Sequence, residues 1–270
     1  MNWTVLGASG AIGRRLVGYL RQTGHVVYTP ERGDPGVWTR PLGHVIYAIG
    51  LTADFRQRPF ETVQAHVSLL AELLQRADFD SLLYLSSTRV YGRATSGSED
   101  APLTVLAQDP SDLYNLSKLM GESLCLHGGR SGVRIARLSN VVGGDDAESD
   151  NFVPSLLRAA QSGHIELKTA EESTKDYIHI DDVVELLQRI AVGGQHRVYN
   201  VASGQQLRHA NWTHRLAALT GCSVGTAPGA ALQQFVPIDT TRIRTEFGYT
   251  PRPALSVLDS MPASTPQVSP

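Results

Sequence analysis

The sequence predicts an α/β fold, in which a doubly wound parallel sheet is followed by a smaller C-terminal lobe. Short, continuously apolar runs alternate with helical patterns through the first half of the chain, as in parallel sheets that helices cover on both faces. A glycine-rich turn joins the first of these runs directly to the first helical pattern. Right-handed crossovers between such units then wind the sheet in both directions.

The predicted elements of the first half follow one another along the chain. The predicted strands are Trp3–Leu6, Val26–Thr29, His44–Ile49, Ser81–Ser86 and Val133–Leu138, and the predicted helices are Ala11–Gln22, Phe60–Ala77, Asp112–His127 and Phe152–Ser162. The stretch from Glu31 to Gly43 is too short for a full helix–strand–helix passage. We therefore expect an abbreviated connection there, in which a strand is missing.

From about Asn140 the pattern changes to polar loops and shorter apolar runs. The predicted elements of this part are a strand at Tyr177–Ile180, a helix at Asp181–Val192, a strand at Val198–Val201, and helices at Asn211–Leu219 and Asp239–Phe247. We expect residues 1–140 to form the main domain and residues 141–261 the smaller lobe. Segments near 175–205 are expected to return to the main domain, and residues 262–270 to form a mobile tail.

Composition excludes several classes of protein. The chain has 270 residues, and its 24 lysines and arginines oppose 26 aspartates and glutamates, which argues against partners held by charge alone, such as nucleic acid or an anionic membrane. No run of about 18 apolar residues is present, and because strand-like residues follow the first methionine almost at once, we expect no signal peptide. The two cysteines, Cys125 and Cys222, suggest neither a disulfide framework nor a metal site. These features predict a cytoplasmic protein.

The turn after the first strand has the glycine spacing of a dinucleotide site in a Rossmann-like fold. Gly7 permits a tight turn, Gly10 lets the backbone approach a pyrophosphate, and Gly13 lets the helix pack closely on the strand. The helix N-terminus then offers free N–H groups to the anion. The candidate cofactor-binding residues of this turn are Gly7, Ser9, Gly10, Ala11, Ile12 and Gly13.

The residues after the second predicted strand bear on the choice between NAD and NADP. A carboxylate there accepts a hydrogen bond from the ribose 2′-hydroxyl of NAD, whereas an arginine pairs with the 2′-phosphate of NADP. Glu31 favours the first and Arg32 the second, so both cofactors stay open.

Tyr114 and Lys118 lie four residues apart in the predicted helix Asp112–His127, and therefore share one of its faces. A nearby ammonium, the positive charge of the cofactor and the helix N-terminus favour a phenolate, and we expect them to lower the pKa of Tyr114 from about 10 by about 3 pH units. Tyr114 would then exchange a proton with a substrate hydroxyl while hydride moves, and Ser87 would hydrogen-bond the same oxygen. Each feature alone also fits an ordinary helix or loop; the prediction depends on their order along the chain.

These residues resemble the extended short-chain dehydrogenases/reductases, and specifically the NAD-dependent epimerase/dehydratase family of nucleotide-sugar enzymes. The resemblance covers roughly Asn2 to Pro253. It rests on Gly7-x-x-Gly10-x-x-Gly13, Leu85-Ser86-Ser87-Thr88-Arg89-Val90-Tyr91-Gly92, Tyr114-x-x-x-Lys118, Arg137-Leu138-Ser139-Asn140-Val141-Val142-Gly143, Lys175-Asp176-Tyr177-Ile178-His179-Ile180-Asp181-Asp182-Val183 and Tyr199-Asn200-Val201-Ala202-Ser203-Gly204.

The resemblance implies roles for particular residues. Tyr114 would be the acid/base, Lys118 would hold the nicotinamide ribose, and Ser87 would occupy the catalytic Ser/Thr position. Lys175 stands where the family often has an arginine that faces the substrate phosphates, although it also fits a solvated loop cation. Asn151 resembles the asparagine that meets the diphosphate. The implied substrate-binding residues are Ser87, Thr88, Asn140, Asn151 and Lys175.

The chain departs from the family pattern at three places. The 4,6-dehydratases carry an Asp-Glu pair after the catalytic threonine, where this chain has Thr88 and Arg89, so elimination of water is not expected. His66 stands in place of the family's usual asparagine, and we expect a packed or solvated helix residue. The family's adenine-contacting aspartate has only Asp34 as a candidate counterpart.

These patterns predict an NAD(P)-dependent enzyme that transfers hydride to or from a nucleotide-activated sugar, either a 4-keto-reductase or a 4-epimerase. A non-catalytic NAD(P)-binding sensor or scaffold, and a reductase of a non-sugar carbonyl, are the alternatives. The resemblance also implies a homodimer through the helices Phe60–Ala77 and Asp112–His127. The apolar residues offered for that face, which would otherwise cover the sheet, are Leu69, Leu70, Leu73, Leu74, Leu116, Leu119 and Leu124.

Overall fold

Six parallel strands form the main sheet of the computed structural model, which describes residues 1–51, 54–144 and 149–259. In chain order these strands are β1 (Asn2–Leu6), β2 (Val26–Tyr28), β3 (His44–Tyr47), β4 (Ser81–Ser87), β5 (Val133–Leu138) and β9 (Val198–Val201), and in space they run β2-β1-β3-β4-β5-β9. The predicted α/β class with a doubly wound parallel sheet is confirmed. The predicted tail at 262–270, and residues 260–261 at the end of the predicted lobe, lie outside the described residues.

Helices cover both faces of this sheet. Helices α1 (Ala11–Gln22) and α7 (Ile180–Gly193) share one apolar core with the sheet, while α4 (Leu69–Arg76) and α5 (Asp112–His127) contribute to the core on the other side. Three of the leucines offered for a dimer face, Leu70, Leu73 and Leu74, are buried in that second core. They cover the sheet because amphipathic helices on a parallel sheet must bury one face against it, and they are not a free surface.

The predicted helix Phe60–Ala77 is continuous but changes its winding in the middle. It begins as α3 (Pro59–Val63), passes through one π-helical turn at Gln64–Ser68, and continues as α4. Such π-helical turns often lie at functional sites, and this one carries His66.

The connection from Glu31 to Gly43 is abbreviated, as expected. Its described residues form a single helical turn, α2 (Gly36–Thr39), and no strand, so β2 is the edge of the main sheet.

A third apolar core lies beyond β5 and contains residues from Val142 to Leu258. Its elements are β6 (Asn140–Val142), α6 (Phe152–Gln161), β7 (His164–Thr169), β8 (Thr174–His179), β10 (Gln206–Arg208), α8 (His209–Thr220) and β11 (Ser223–Ala231). The last α-helix, α9 (Thr241–Phe247), packs instead in the core that the main sheet shares with α1 and α7. Strands β10, β8 and β6 form a three-stranded sheet, and β11 pairs with β7. The sequence patterns missed β6, β7, β10 and β11, because these strands are short or mostly exposed and so lack a continuous apolar run.

No helix within the described part of the chain is long and apolar enough to cross a bilayer.

Candidate active site

A cleft opens at the carboxyl ends of β1, β3, β4 and β5, where parallel α/β sheets bind ligands. It consists of two adjoining hollows. The first, of about 520 Å³, lies against the glycine-rich turn, and the second, of about 550 Å³, lies on the side of β8 and the chain after β11. The residues that line both hollows are Ser87, Arg89, Ser139, Asn140 and Lys175.

The glycine-rich turn leaves space that side chains would fill. Gly7 has φ +86°, and a Cβ there would lie 2.7 Å from the carbonyl carbon of Ala48. A Cβ on Gly13 would lie 2.2 Å from the carbonyl oxygen of Gly7, so only glycine lets α1 approach β1 this closely. No side chain caps the N-terminus of α1, and its first residues line the first hollow. This uncapped turn fits the pyrophosphate of a dinucleotide.

The other predicted cofactor residues are placed less directly. Gly10, Ala11, Ile12 and Gly13 line the first hollow, whereas the side chain of Arg14 donates to the carbonyl oxygen of Ser9. Gly7 and Ser9 themselves are not among the lining residues.

Glu31 and Arg32 are exposed on the loop after β2, and neither lines the hollow. Asp34 accepts hydrogen bonds from the Tyr28 hydroxyl (2.8 Å) and the Gly36 N–H (2.8 Å), and these bonds lower its pKa. The arrangement of this loop therefore does not distinguish NAD from NADP.

Tyr114, Lys118 and Ser87 come together at the bottom of the first hollow, where α5 packs on the end of β4. The side chains of Tyr114 and Lys118 are 5% and 4% exposed. The Lys118 ammonium donates to the carbonyl oxygen of Leu85 at 2.9 Å and lies 5.9 Å from the centre of the Tyr114 ring. Helical spacing and the parallel pairing of β4 thus bring together a phenol, an ammonium and a hydroxyl.

The lowering of the Tyr114 pKa, expected from Lys118, the cofactor charge and the helix N-terminus together, stays a prediction for the cofactor-bound protein. Burial is the largest effect and raises the pKa of Tyr114, while a hydrogen bond with Ser87 and the charge of Arg89 lower it. Lys118 is itself buried, and burial lowers its pKa to about 7 although Glu122 opposes this. Near neutral pH, Lys118 therefore carries only part of its positive charge.

His66 is fully buried behind Tyr114, so the expectation of a packed residue holds. Its Nε2 accepts from the Leu51 N–H at 3.3 Å, and its Nδ1 lies 2.8 Å from the Ser117 hydroxyl, which donates to the Tyr114 carbonyl oxygen at 2.9 Å. Burial, followed by the charge of Lys118, lowers its pKa to about 3. His66 is therefore a neutral link between the loop after β3 and α5.

The second hollow is rich in cations. It is lined by the cations Arg56, Arg89, Arg93 and Lys175, and also by Thr88. Arg93 is paired with Asp109 and Asp112, whereas Arg56 and Arg89 flank the ring of Phe55 at 4.6 and 4.9 Å. Arg56 and Arg89 were not selected from the sequence as binding residues, because only the fold brings them to one place.

The remaining predicted substrate residues lie around the junction of the hollows. Asn151 is exposed at the start of α6 and lines the first hollow. Asn140 donates to the carbonyl oxygen of Asp176 at 2.8 Å. Lys175 is half-buried between the rings of Phe152 and Phe235, at 6.0 and 5.6 Å, and burial followed by the charge of Arg89 lowers its pKa.

A buried ion pair supports the end of β4. Arg137 on β5 donates to Glu122 on α5 at 2.6 Å, and Ser86 donates to the same carboxylate at 2.6 Å. Sequence analysis gave these residues no role in the site. The available signal was a charged residue on each of two elements that pack against the core, α5 and β5.

Comparisons with known proteins agree with this geometry. A sequence model of the NAD dependent epimerase/dehydratase family matches residues 3–202. The chain is 30% identical over 235 residues to the GDP-6-deoxy-D-mannose reductase of Pseudomonas aeruginosa, with 75% of this chain and 74% of that protein covered. It is 24% identical over 226 residues to the dTDP-glucose 4,6-dehydratase of Streptomyces niveus, with 79% of this chain and 64% of that protein covered.

A similar fold is found among solved structures. The structure of RMD from Pseudomonas aeruginosa complexed with NADPH superposes with a TM-score of 0.75 at 25% identity, and the match covers 93% of this chain and 94% of that one.

Proposed function

Because the chain belongs to the NAD-dependent epimerase/dehydratase family and is thus an NAD(P)-dependent enzyme of the extended short-chain dehydrogenase/reductase type, we propose that it reduces the 4-keto group of a nucleotide-activated sugar. The observation that carries this proposal is the meeting of Tyr114, Ser87 and Lys118 beside the uncapped glycine-rich turn in one cleft.

The geometry supports a proton-donating role for Tyr114. Burial keeps its pKa high, so the phenol is protonated at neutral pH and is suited to be the acid in a reduction. The nicotinamide, when bound, supplies the hydride. Tyr114 donates its proton to the oxygen of the former carbonyl, and the Ser87 hydroxyl, which already hydrogen-bonds the phenol, positions that oxygen. Lys118 would hold the nicotinamide ribose.

The sugar nucleotide is proposed to lie across the junction of the two hollows. Lys175 and Asn151 line the first hollow and are suited to the diphosphate, because an ammonium and an amide N–H both donate to phosphate oxygens. Asn140 and Thr88 line the second hollow, beside the sugar. This placement leaves the reacting carbon next to Ser87.

The residue after Thr88 argues against a dehydratase. Arg89 has no proton to give at working pH, so it cannot act as the acid that an eliminated hydroxyl needs. Asp176 is the one carboxylic acid among the described residues that line the second hollow, and it accepts from the Ser203 N–H at 3.0 Å and the Ser203 hydroxyl at 3.1 Å. Its oxygens are therefore already engaged as acceptors.

The test is an assay of the purified chain with GDP- and dTDP-linked 4-keto-6-deoxy sugars, each with NADPH and with NADH. We expect oxidation of the reduced cofactor to match formation of the reduced sugar. Tyr114→Phe should lower turnover by about 10²–10⁴-fold while cofactor binding, followed by the fluorescence of the reduced nicotinamide, is kept.

Tyr19→Phe is the matched control. The Tyr19 hydroxyl on α1 donates to the Gln188 side chain on α7, outside the cleft, so the turnover of this variant should be unchanged. Interconversion of saturated nucleotide sugars without net use of cofactor would instead identify an epimerase. Cofactor binding without turnover on any of these sugars would contradict the proposal.

A further inference from the structure

Arg89 occupies a position in the cleft that the proposed reaction does not yet use. We infer that Arg89 is a positioning residue for Tyr114. The Arg89 guanidinium stabilises the negative charge left on the Tyr114 oxygen after proton transfer. The inference rests on the proposed function, in which Tyr114 exchanges that proton. It gives to Arg89 the electrostatic role that sequence analysis assigns to Lys118.

The backbone and two aromatic rings hold Arg89 in place. Its N–H donates to the Ser87 hydroxyl oxygen at 3.2 Å, which ties it to the residue that hydrogen-bonds the phenol. Its guanidinium carbon lies 5.3 Å from the centre of the Tyr114 ring and 4.9 Å from that of Phe55. A guanidinium nitrogen also donates to the Ser111 carbonyl oxygen at 3.4 Å.

The charge of Arg89 is not cancelled by a nearby carboxylate. Within residues 1–51, 54–144 and 149–259, its guanidinium forms no ion pair, and the acidic residues on its side of the cleft, Asp109 and Asp112, are paired with Arg93. Arg89 is half-buried, so water and salt screen it less than they screen a surface charge. Its field therefore acts on the neighbouring ring.

The other titratable groups that face Tyr114 are neutral or weakly charged. Burial lowers the pKa of His66 to about 3 and that of Lys118 to about 7. Burial holds the pKa of Tyr84 well above its usual range, so that phenol is uncharged. Arginine keeps its charge throughout the working range of an enzyme. Arg89 is thus the cation that acts on the pKa of Tyr114, and its charge does not depend on pH.

Burial alone would leave the phenolate form of Tyr114 very costly. The field of Arg89 and the hydrogen bond from Ser87 act against burial and lower the pKa of Tyr114. Ser87 caps the short helical turn Thr88–Tyr91, and Arg89 lies within that turn, so one short segment places both groups beside the phenol. Arg89 therefore keeps Tyr114 an acid strong enough to donate.

The pH profile of the reduction tests this role. In Arg89→Met, the alkaline midpoint of kcat/KM, at which Tyr114 loses its proton, should move up by about one pH unit, as expected for the loss of a partly screened charge near the ring. Arg89→Lys should return the midpoint toward the wild-type value because it restores a cation. Any change of kcat/KM with pH near the pKa of Lys118 should keep its midpoint in both variants.

Arg56→Gln is the matched control. Arg56 also stacks on Phe55 and donates to the Ser111 hydroxyl at 2.8 Å, but it does not act on the pKa of Tyr114. The alkaline midpoint of kcat/KM in Arg56→Gln should equal that of the wild type, even if the turnover of the variant changes. An equal displacement of the midpoint in Arg56→Gln and Arg89→Met would overturn the inference, because it would reflect the general charge of the cleft.

A second measurement needs no substrate and so separates this inference from the proposed function. In protein labelled with ¹³C at the tyrosine ring carbon that bears oxygen, the signal absent from Tyr114→Phe identifies Tyr114. At a fixed alkaline pH below the pKa of Tyr114, its ionised fraction should fall about tenfold in Arg89→Met if the pKa rises by about one pH unit. An unchanged fraction in folded Arg89→Met would overturn the role of Arg89, even if the wild type reduces 4-keto sugars.

Discussion

Glu122 and Arg137 differ from the other ion pairs of the described chain in being buried directly beneath the active site. Their side chains are 3% and 5% exposed, and Arg137 also donates to the Tyr91 hydroxyl at 2.8 Å. Ser86, which donates to Glu122, precedes Ser87 on β4. The pair therefore holds α5, β4 and β5 in the register that brings Ser87 to Tyr114.

At this scale we predict that Glu122→Gln lowers the free energy of unfolding by about 3–5 kcal/mol, because it leaves the Arg137 charge buried without a counter-charge. The exposed pair of Glu72 and Arg76 on α4 provides the control, and Glu72→Gln should cost at most about 1 kcal/mol. Urea unfolding of both variants measures the difference. Similar losses in the two variants would mean that the buried pair is no more important than a surface one.

At the scale of elements, α5 and the π-helical turn before α4 make close contact at Gly121. A Cβ on Gly121 would lie 2.5 Å from the Tyr84 hydroxyl oxygen and 2.8 Å from the carbonyl oxygen of His66. The absence of a side chain there lets α5 pack against β4 and the π-helical turn at once. This packing sets the depth of Tyr114 and Lys118 in the cleft.

Gly121→Ala should therefore destabilise the protein by about 1–3 kcal/mol, since an extra methyl must displace a phenol and a backbone carbonyl. Gly18→Ala on α1 is the matched control, because nothing lies within 4 Å of its Cβ position, and it should stabilise the helix by about 0.5–1 kcal/mol. Thermal melting of the two variants, in which the midpoints should move in opposite directions, is the measurement. A gain in stability for Gly121→Ala would show that α5 can move without cost.

At the scale of the whole molecule, we propose a homodimer through the helices α3–α4 and α5. The apolar residues that these helices leave exposed are not the buried leucines but Phe60, Val63 and Met120, and Phe60 is 85% exposed. Large exposed apolar side chains on neighbouring helices are typical of a protein–protein contact.

Light scattering should accordingly give twice the chain mass, and Phe60→Lys should move the equilibrium toward the monomer by placing a charge in the contact. Val26→Lys is the control, because Val26 is also exposed but lies on the edge strand β2, and its mass should not change. A wild-type protein of single-chain mass at high concentration would refute the dimer.

The class of fold, the glycine-rich turn and the Tyr114–Lys118 spacing can all be predicted from the chain. These features are local: apolar runs define buried strands, glycine permits a turn, and four residues make about one turn of a helix. Family membership follows from the same ordered segments. The omission of a strand between Glu31 and Gly43 could also be predicted from the chain, because length limits what a connection can hold.

Which charges act on the phenol depends on how the chain packs in three dimensions. Arg89 and Tyr114 are distant in sequence, and only the packing of α5 on the end of β4 places the guanidinium over the ring. The same packing buries Lys118 and weakens it as a cation. Electrostatic effects depend on distance and burial in three dimensions, and neither is encoded in the spacing of residues along the chain.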